Sequence, residues 1–298
     1  MQISEAQVRH LLSYEELIPA MKHALMAFSS GRVQQPVRTV MNVAHHAGWF
    51  ATMPAVYGSV MGAKMVTFYP NNTALGKHTH LAIIQLFRSD TGEPLAVMDG
   101  RAITEMRTAA VTALAVDHLS PAVAGILAIL GSGVQARSHA LALSQVRQFK
   151  EVRVWSRTPE HAENCAREIS ATAVPTAEQA VKDADVILTL TSSAEPILLG
   201  KWLKHDALIC AVGAVTPDRR ELDDDAIRGS VIVESREAAL REPGDILLSH
   251  AEVTAELGEL FNGVTLHRKP GPVVFKSVGM AIEDIASAKL VFDKMTTL

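Results

Sequence analysis

The sequence predicts an α/β protein, with a doubly wound parallel sheet preceded by a smaller α+β region. Three observations carry this. The run Gly125-Ile126-Leu127-Ala128-Ile129-Leu130 is apolar and uncharged, as a strand buried on both faces must be; it breaks at Gly131-Ser132-Gly133 into a stretch with helical apolar spacing. Beyond it, short β-type runs alternate with helical patterns, the order that parallel crossover units require. The first third instead carries two helical segments, then short strand-like pieces separated by Pro, Asn and Gly turns.

Ser4-Glu5-Ala6-Gln7 has capping-box spacing, and Val8, Leu11 and Leu12 give the short helix after it a buried side. A second helix is predicted from Tyr14 to Ser29 and is stopped by Gly31. Strand-like pieces follow over 38–43, 49–53, 63–69 and 80–87, with Pro54, Pro70-Asn71-Asn72 and Gly76 as breaks. Asp90-Thr91-Gly92 then turns the chain into Leu95-Ala96-Val97-Met98 as a hairpin, giving a mixed or antiparallel sheet. An alanine-rich helix over 104–119 ends at Ser120-Pro121, because the residue before proline avoids helical backbone angles; this places a domain boundary there.

After the glycine turn, further strands are expected at 152–155, 186–190, 207–212, 231–233 and 273–275. Thr158-Pro159-Glu160 and Thr176-Ala177-Glu178-Gln179 start helices between them, and an amphipathic helix over 282–295 closes the chain. Within this frame Gly131-Ser132-Gly133-Val134-Gln135-Ala136 reads as the G-x-G-x-x-A turn of a Rossmann-type dinucleotide site. Gly131 permits the tight turn, Gly133 lets the backbone approach a pyrophosphate, and Ala136 lets helix and strand pack closely. The next strand ends Trp155-Ser156-Arg157-Thr158, without the carboxylate that would accept bonds from a ribose 2′-hydroxyl. Arg157, flanked by two hydroxyls, suits a 2′-phosphate instead, so NADPH is expected over NADH.

The 298 residues are 48% apolar, with a formal net charge of −4, which argues against a nucleic-acid surface. Cys165 and Cys210 lie in no metal spacing, no run is long enough for a membrane span, and Met1-Gln2-Ile3-Ser4-Glu5 lacks signal-peptide character; a cytoplasmic protein is expected. Three cations of the first third, Arg38, Lys64 and Arg107, lie in apolar surroundings. Burying a lone cation is costly, so each needs a partner: protein carboxylates, or one small carboxylate substrate shared by all three. His78-Thr79-His80 sets two histidines on one strand face without a third ligand, so no metal is expected, and His80 is placed near the substrate.

The whole chain resembles the ornithine cyclodeaminase/μ-crystallin family of nicotinamide enzymes, on its μ-crystallin (ketimine reductase) side. The resemblance is carried by Gln35-Pro36-Val37-Arg38-Thr39-Val40, by Lys64 with Val66-Thr67-Phe68, by Ala96-Val97-Met98-Asp99-Gly100 and by Arg107-Thr108-Ala109-Ala110-Val111. Leu130 to Ala136, Glu195-Pro196-Ile197-Leu198, Ala211-Val212-Gly213-Ala214 and the stretches 217–224 and 275–281 complete it. It implies reduction of a cyclic ketimine carboxylate to a cyclic amino acid. Arg38, Lys64 and Arg107 would act on the substrate, with Phe68 and His80 beside it. Gly131, Ser132, Gly133, Val134 and Gln135 would hold the pyrophosphate, and Ser156, Arg157 and Thr158 the 2′-phosphate. Val212, Gly213, Ser277, Val278 and Gly279 would line the cofactor. The resemblance also implies a homodimer, with residues 1–119 and a returning helix 281–298 forming the substrate and dimerisation domain and 120–280 the NADPH domain. Val215 stands where cyclodeaminases carry an aspartate, and a valine can neither accept a proton nor activate water, which disfavours ornithine cyclisation. The alternatives are open-chain imine reduction of the alanine dehydrogenase or N-alkyl amino acid type, cyclodeaminase activity itself, and a thyroid-hormone-binding or crystallin-like role without turnover.

Overall fold

The structure, a computed structural model, describes every residue except Ala122 and Leu298. Of the expected ranges, one position of 120–280 and the last of 281–298 therefore lie outside the described residues. The chain divides into two compact units, Met1–Arg107 with Gly279–Leu298, and Thr108–Val278. The first division falls inside a continuous helix, earlier than the Ser120-Pro121 break. No local stop signal in the sequence marks a division inside a helix.

In the first unit, β1 (Gln2–Ile3), α1 (Glu5–Leu11) and α2 (Tyr14–Ser29) precede β2 (Val33–Gln34) and β3 (Thr39–Val43). Then come β4 (Gly48–Tyr57), β5 (Val60–Phe68), β6 (His80–Arg88), β7 (Pro94–Asp99) and the start of α3 (Arg101–Leu119). The Ser4 capping box forms, with Ser4 and Gln7 satisfying each other's backbone amides. The sheet runs β1-β7-β6-β5-β4-β2 with β3 also on β4, antiparallel apart from the short parallel pair of β1 and β7. Pro54, expected to end a strand, sits inside β4. On that strand's outer side pairing stops at Thr52 and resumes at Val56, leaving a gap that tolerates a residue without an N–H.

In the second unit, β8 (Ile126–Leu130), α4 (Val134–Ser144), β9 (Glu151–Trp155), α5 (Pro159–Glu168), β10 (Thr172–Ala173), α6 (Ala177–Val181) and β11 (Val186–Thr189) follow in turn. After β12 (Leu208–Ala211) and β13 (Ser230–Val233) come α7 (Arg236–Ala239), α8 (Gly244–Leu247), β14 (Val253–Glu256), α9 (Leu257–Phe261) and β15 (Val273–Lys276). The eight strands run β10-β9-β8-β11-β12-β15-β13-β14, every pair parallel. β10 and β14 are the two edges, too short or too polar to stand out in sequence. The chain leaves β8 toward β9 on one side and returns to β11 on the other, so β8 is the switch point where an open α/β sheet forms its ligand crevice.

The last helix, α10 (Ala281–Thr297), belongs to the first unit and packs on α2, β4, β5 and β6 through Ile282, Ile285 and Val291. A methyl group at Gly62 would lie 2.2 Å from the Gln85 carbonyl oxygen of β6 and 2.8 Å from Ile285 Cδ1 of α10, so the close approach of the neighbouring strand, more than of the helix, requires glycine here. The other face of the same sheet is apolar and open. Register puts Met41, Phe50, Thr67 and Leu81 in one row and Thr52, Met65 and Ile83 in the next. Met41, Leu81, Ile83 and Val97 are exposed there.

Candidate active site

The inward positions of β5 alternate Val60, Gly62, Lys64, Val66, which puts a lysine where strand periodicity calls for an apolar side chain. Lys64 is 2% exposed, and its Nζ lies 2.6 Å from Asp284 Oδ2 in the first turn of α10. Thr104 Oγ1 of α3 lies 3.4 Å from the same nitrogen. Arg107, one turn further along α3, donates from Nε to Asp284 Oδ1 at 3.1 Å and from Nη1 to Glu283 Oε2 at 2.8 Å. Arg38 joins them through Gly279, whose carbonyl accepts from Arg38 Nη2 at 2.6 Å. Gly279 has a φ of +75°, and a methyl group there would lie 2.5 Å from Arg107 Nη1, so this position demands glycine twice over.

The three cations picked out in sequence are therefore brought together, but Lys64 and Arg107 already have protein carboxylates as partners. Glu283 and Asp284 were missed. Their only signal was two adjacent acids in the apolar run 278–286, read as one polar face of an amphipathic helix. The charges tune one another. Burial pushes the Lys64 ammonium down to about 8, with Arg107 and Arg38 adding to the shift and Asp284 opposing it. Burial alone would raise Asp284, but Arg107 and Lys64 outweigh it and hold the carboxyl below its ordinary value. His80, beside them on β6, is pushed down to about 4 by burial and then by Lys64 and Arg107, so its imidazole is neutral. Phe68 pairs across β5 and β6 with His80 and stacks on Trp49 at 5.7 Å between ring centroids.

In the second unit, Gly131 follows β8 with a φ of +125°, and a methyl group on it would lie 2.6 Å from the Leu190 carbonyl oxygen. Gly133 is the N-cap of α4, supplies no side-chain cap, and has open space where a Cβ would stand. Gly133 thus offers no side-chain cap to the first amides of α4, and Val134 at its start is exposed. Gln135 Oε1 is buried without a hydrogen-bond partner among the described residues. Ser132 Oγ donates to Ser156 Oγ at 2.9 Å, which sets the end of β9 beside the glycine turn, and Arg157 is exposed there. Thr158 is the N-cap of α5 but makes no side-chain cap bond, leaving its hydroxyl for other work. An open glycine, an uncapped helix start and an orphaned acceptor fit the phosphates and sugar of a dinucleotide.

The strand ends beyond are held by buried carboxylates that sequence reading also missed. Glu221 accepts from Gly213 N at 2.8 Å, Thr191 N at 2.7 Å and Thr189 Oγ1 at 2.7 Å, and burial raises its pKa. Val212 N donates to the Thr189 carbonyl. Glu234 accepts from Ser277 Oγ at 2.6 Å and Val278 N at 2.9 Å, fixing the turn after β15.

The model of the ornithine cyclodeaminase/mu-crystallin family matches residues 1–297. The chain belongs to this family. A mouse relative, named ketimine reductase mu-crystallin, is 47% identical over 97% of this chain and 95% of its own. Among solved structures, Thermococcus litoralis Δ1-pyrroline-2-carboxylate reductase, in complex with NADH and L-proline, has a TM-score of 0.96 and 34% identity; it covers 100% of this chain and 98% of that one. An archaeal alanine dehydrogenase dimer with bound NAD has a TM-score of 0.94 and 27% identity, covering 100% and 96%. The family match thus runs through both units, including the helix that brings Glu283 and Asp284 to the cations.

Proposed function

We propose that this protein reduces the C=N bond of a small cyclic imine bearing a carboxylate on the imine carbon, of the Δ1-pyrroline-2-carboxylate or Δ1-piperideine-2-carboxylate type, to the cyclic amino acid. One observation carries the reading: Arg38, Lys64 and Arg107 converge within a chain whose whole length matches imine-reducing relatives. A bound nicotinamide supplies two electrons and a hydrogen to the imine carbon. The chain's part is positioning and charge. Arg38 and Arg107 hold the substrate carboxylate, Lys64 gives a proton to the imine nitrogen, and neutral His80 and Phe68 wall the ring. Three cations face two carboxylates here, so one further anionic carboxylate neutralises the cluster.

We assign NADPH as the preferred cofactor. Two relatives in the comparison carry NADH or NAD, so this rests on the chain's own residues: an exposed Arg157 between Ser156 and Thr158, and no acid at the end of β9. Gly131, Ser132, Gly133, Val134 and Gln135 hold the pyrophosphate, and Val212, Gly213, Ser277, Val278 and Gly279 line the nicotinamide end. The unit Thr108–Val278 is then the cofactor domain. The other unit is the substrate and dimerisation domain, pairing two copies through the open apolar face of its sheet, as supported by exposed Met41, Leu81, Ile83 and Val97. Two free cysteines, both buried, suit a reducing cytoplasmic setting. Among the described residues no helix is long and apolar enough to cross a membrane.

The test is NADPH oxidation by purified protein offered five- and six-membered cyclic imine carboxylates, pyruvate with ammonia or methylamine, and ornithine with the oxidised cofactor. Turnover confined to the cyclic imines is expected. Faster turnover with pyruvate and ammonia, or with ornithine, overturns the substrate class, and tight binding of thyroid hormone without any turnover overturns the enzyme reading.

A further inference from the structure

We propose that the two adjacent carboxylates at the start of α10 divide the work of the site: Asp284 positions Lys64 as proton donor to the imine nitrogen, while Glu283 positions Arg107 as clamp on the substrate carboxylate. The inference rests on the imine-reductase reading and deepens it.

The two acids are placed asymmetrically. Asp284 uses one oxygen for each cation, Oδ2 for Lys64 at 2.6 Å and Oδ1 for Arg107 Nε at 3.1 Å. Glu283 reaches Arg107 at 2.8 Å, and its same oxygen accepts from Met280 N at 3.2 Å, which ties it to the turn that carries Gly279. That turn in turn accepts from Arg38. Glu283 is therefore built into the arginine pair, and Asp284 touches both the lysine and Arg107. Both side chains are fully buried, and an acid in such a place is strongly disfavoured unless something needs its charge. A structural role would be met by one carboxylate per cation. Here one carboxylate is shared between the prospective acid and the prospective clamp.

Lys64 shows what the sharing achieves. Burial and two guanidinium groups act to strip its proton, and Asp284 opposes them most strongly. The titratable and charged groups around it come from every packed element: Asp284 from α10, Arg107 from α3, Arg38 ahead of β3, and His80 on β6. His80 is neutral and does not compete for the carboxylate. The resulting ammonium is charged at neutral pH yet a far better donor than an ordinary lysine. In the step itself one Nζ–H bond breaks and one N–H bond forms on the imine nitrogen. The two electrons and the hydrogen that reduce the imine carbon would come from a bound reduced nicotinamide, and Lys64 is left as a neutral amine that regains its proton from water.

The experiment compares Asp284→Asn, Asp284→Glu and Glu283→Gln with the wild-type protein. Readouts are kcat and KM as functions of pH, and calorimetric binding of L-proline, which needs no turnover. Activity should fall as pH rises through the Lys64 pKa, since the donor must carry its proton. Asp284→Asn removes the carboxylate that most raises this pKa, so the alkaline limb of kcat should move to lower pH and kcat at neutral pH should fall at least about tenfold. L-proline binding should change less, and Asp284→Glu should recover part of kcat. Glu283→Gln should do the reverse, weakening L-proline binding and raising KM about tenfold while the alkaline limb stays in place. A limb that does not move in Asp284→Asn, or equal changes of kcat and KM in both variants, overturns the division. Should Asp284→Asn fail to fold, Asp284→Glu is read in its place. An alkaline limb displaced from that of wild type, with L-proline binding less affected, supports the proposal, and an unmoved limb overturns it. If wild-type protein reduces none of the cyclic imines, the failure belongs to the parent reading. If it does reduce them and the limb does not move, the failure belongs to this inference alone.

Discussion

The two units gather the groups proposed to bind anions by different means. In the second, the groups are backbone amides at the start of α4, exposed by two glycines and a missing side-chain cap within six consecutive residues. In the first, they are side chains from the segment before β3, from β5 and from α3; two acids near the far end of the chain hold those of β5 and α3, and the Gly279 carbonyl holds Arg38. A backbone cradle needs no counter-charge, because amide dipoles are neutral and already paid for by folding. A cluster of buried cations needs compensation from outset, and the fold supplies it through α10. The cradle should therefore tolerate change wherever space is open, whereas the cluster should tolerate almost none.

The largest effect expected is that of Arg107→Met. It leaves Glu283 and Asp284 buried without their shared guanidinium, and breaking one side of a buried ion network costs roughly 3–5 kcal/mol. Urea denaturation should show this loss as a lower midpoint, and saturating L-proline should no longer raise it. A variant as stable as wild type would mean that the carboxylates do not depend on Arg107.

This contrast also explains what could be read in advance. The strand, glycine turn and helix were legible because all three are local, lying within Ile126 to Ser144. The order of alternating elements gave the parallel sheet for the same reason. Lys64 and Arg107 were legible as misfits, since a charge at an inward strand or helix position stands out against its apolar neighbours. Their partners were not, because Glu283 and Asp284 open an amphipathic helix where acids are common at the first turn. Only tertiary packing turns that turn inward. Glu221 and Glu234 were hidden likewise, each an acid whose partners are the ends of strands distant in sequence. The short edges β1, β10 and β14 and the strand through Pro54 depend on pairing rather than composition, so no periodic signal announces them.

Acid should weaken both units, and for comparable reasons. His139 on α4 is fully buried, with Nδ1 at 2.8 Å from the Gln135 carbonyl and Nε2 at 3.0 Å from Thr112 Oγ1; burial pushes its pKa from 6.5 down to about 4. The unfolded chain takes up this proton as pH falls through 6.5, and the native protein does so only near 4. Stability contributed by the neutral ring is thus present above 6.5 and lost as pH falls toward 4, by roughly 3 kcal/mol at most. His80 acts with the same sign in the first unit, and there the neighbouring cations add to burial. His139→Asn should flatten the decline of the urea midpoint between pH 7 and 4.5, at some cost to stability at pH 7. An unchanged slope would show that His139 is protonated in the native protein.

The glycine pair separates folding from binding within the cradle. Gly131→Ala forces a side chain onto a φ of +125° and against the Leu190 carbonyl, so it should lower stability by about 1–3 kcal/mol. Gly133→Ala meets nothing in the protein itself and should leave the melting temperature unchanged. Its methyl group would occupy the space required by the pyrophosphate, so cofactor titration should show affinity down at least about tenfold. Equal cofactor affinity in Gly133→Ala and wild type would remove the pyrophosphate from this turn.

The smallest effect expected is the most selective. Arg157 is exposed at the end of β9, so replacing it disturbs no packing, and any consequence must come through the ligand. Arg157→Glu exchanges a donor fork suited to a 2′-phosphate for a carboxylate that accepts from a free 2′-hydroxyl and repels the phosphate. The ratio of kcat/KM for NADPH over NADH should fall at least about tenfold, roughly 1.4 kcal/mol, with KM for the imine unchanged. An unmoved ratio would mean that Ser156 and Thr158, or no residue of this strand end, choose the cofactor. A ratio that moves together with the imine KM would mean that the two anion sites are not independent, which is the assumption on which their comparison stands.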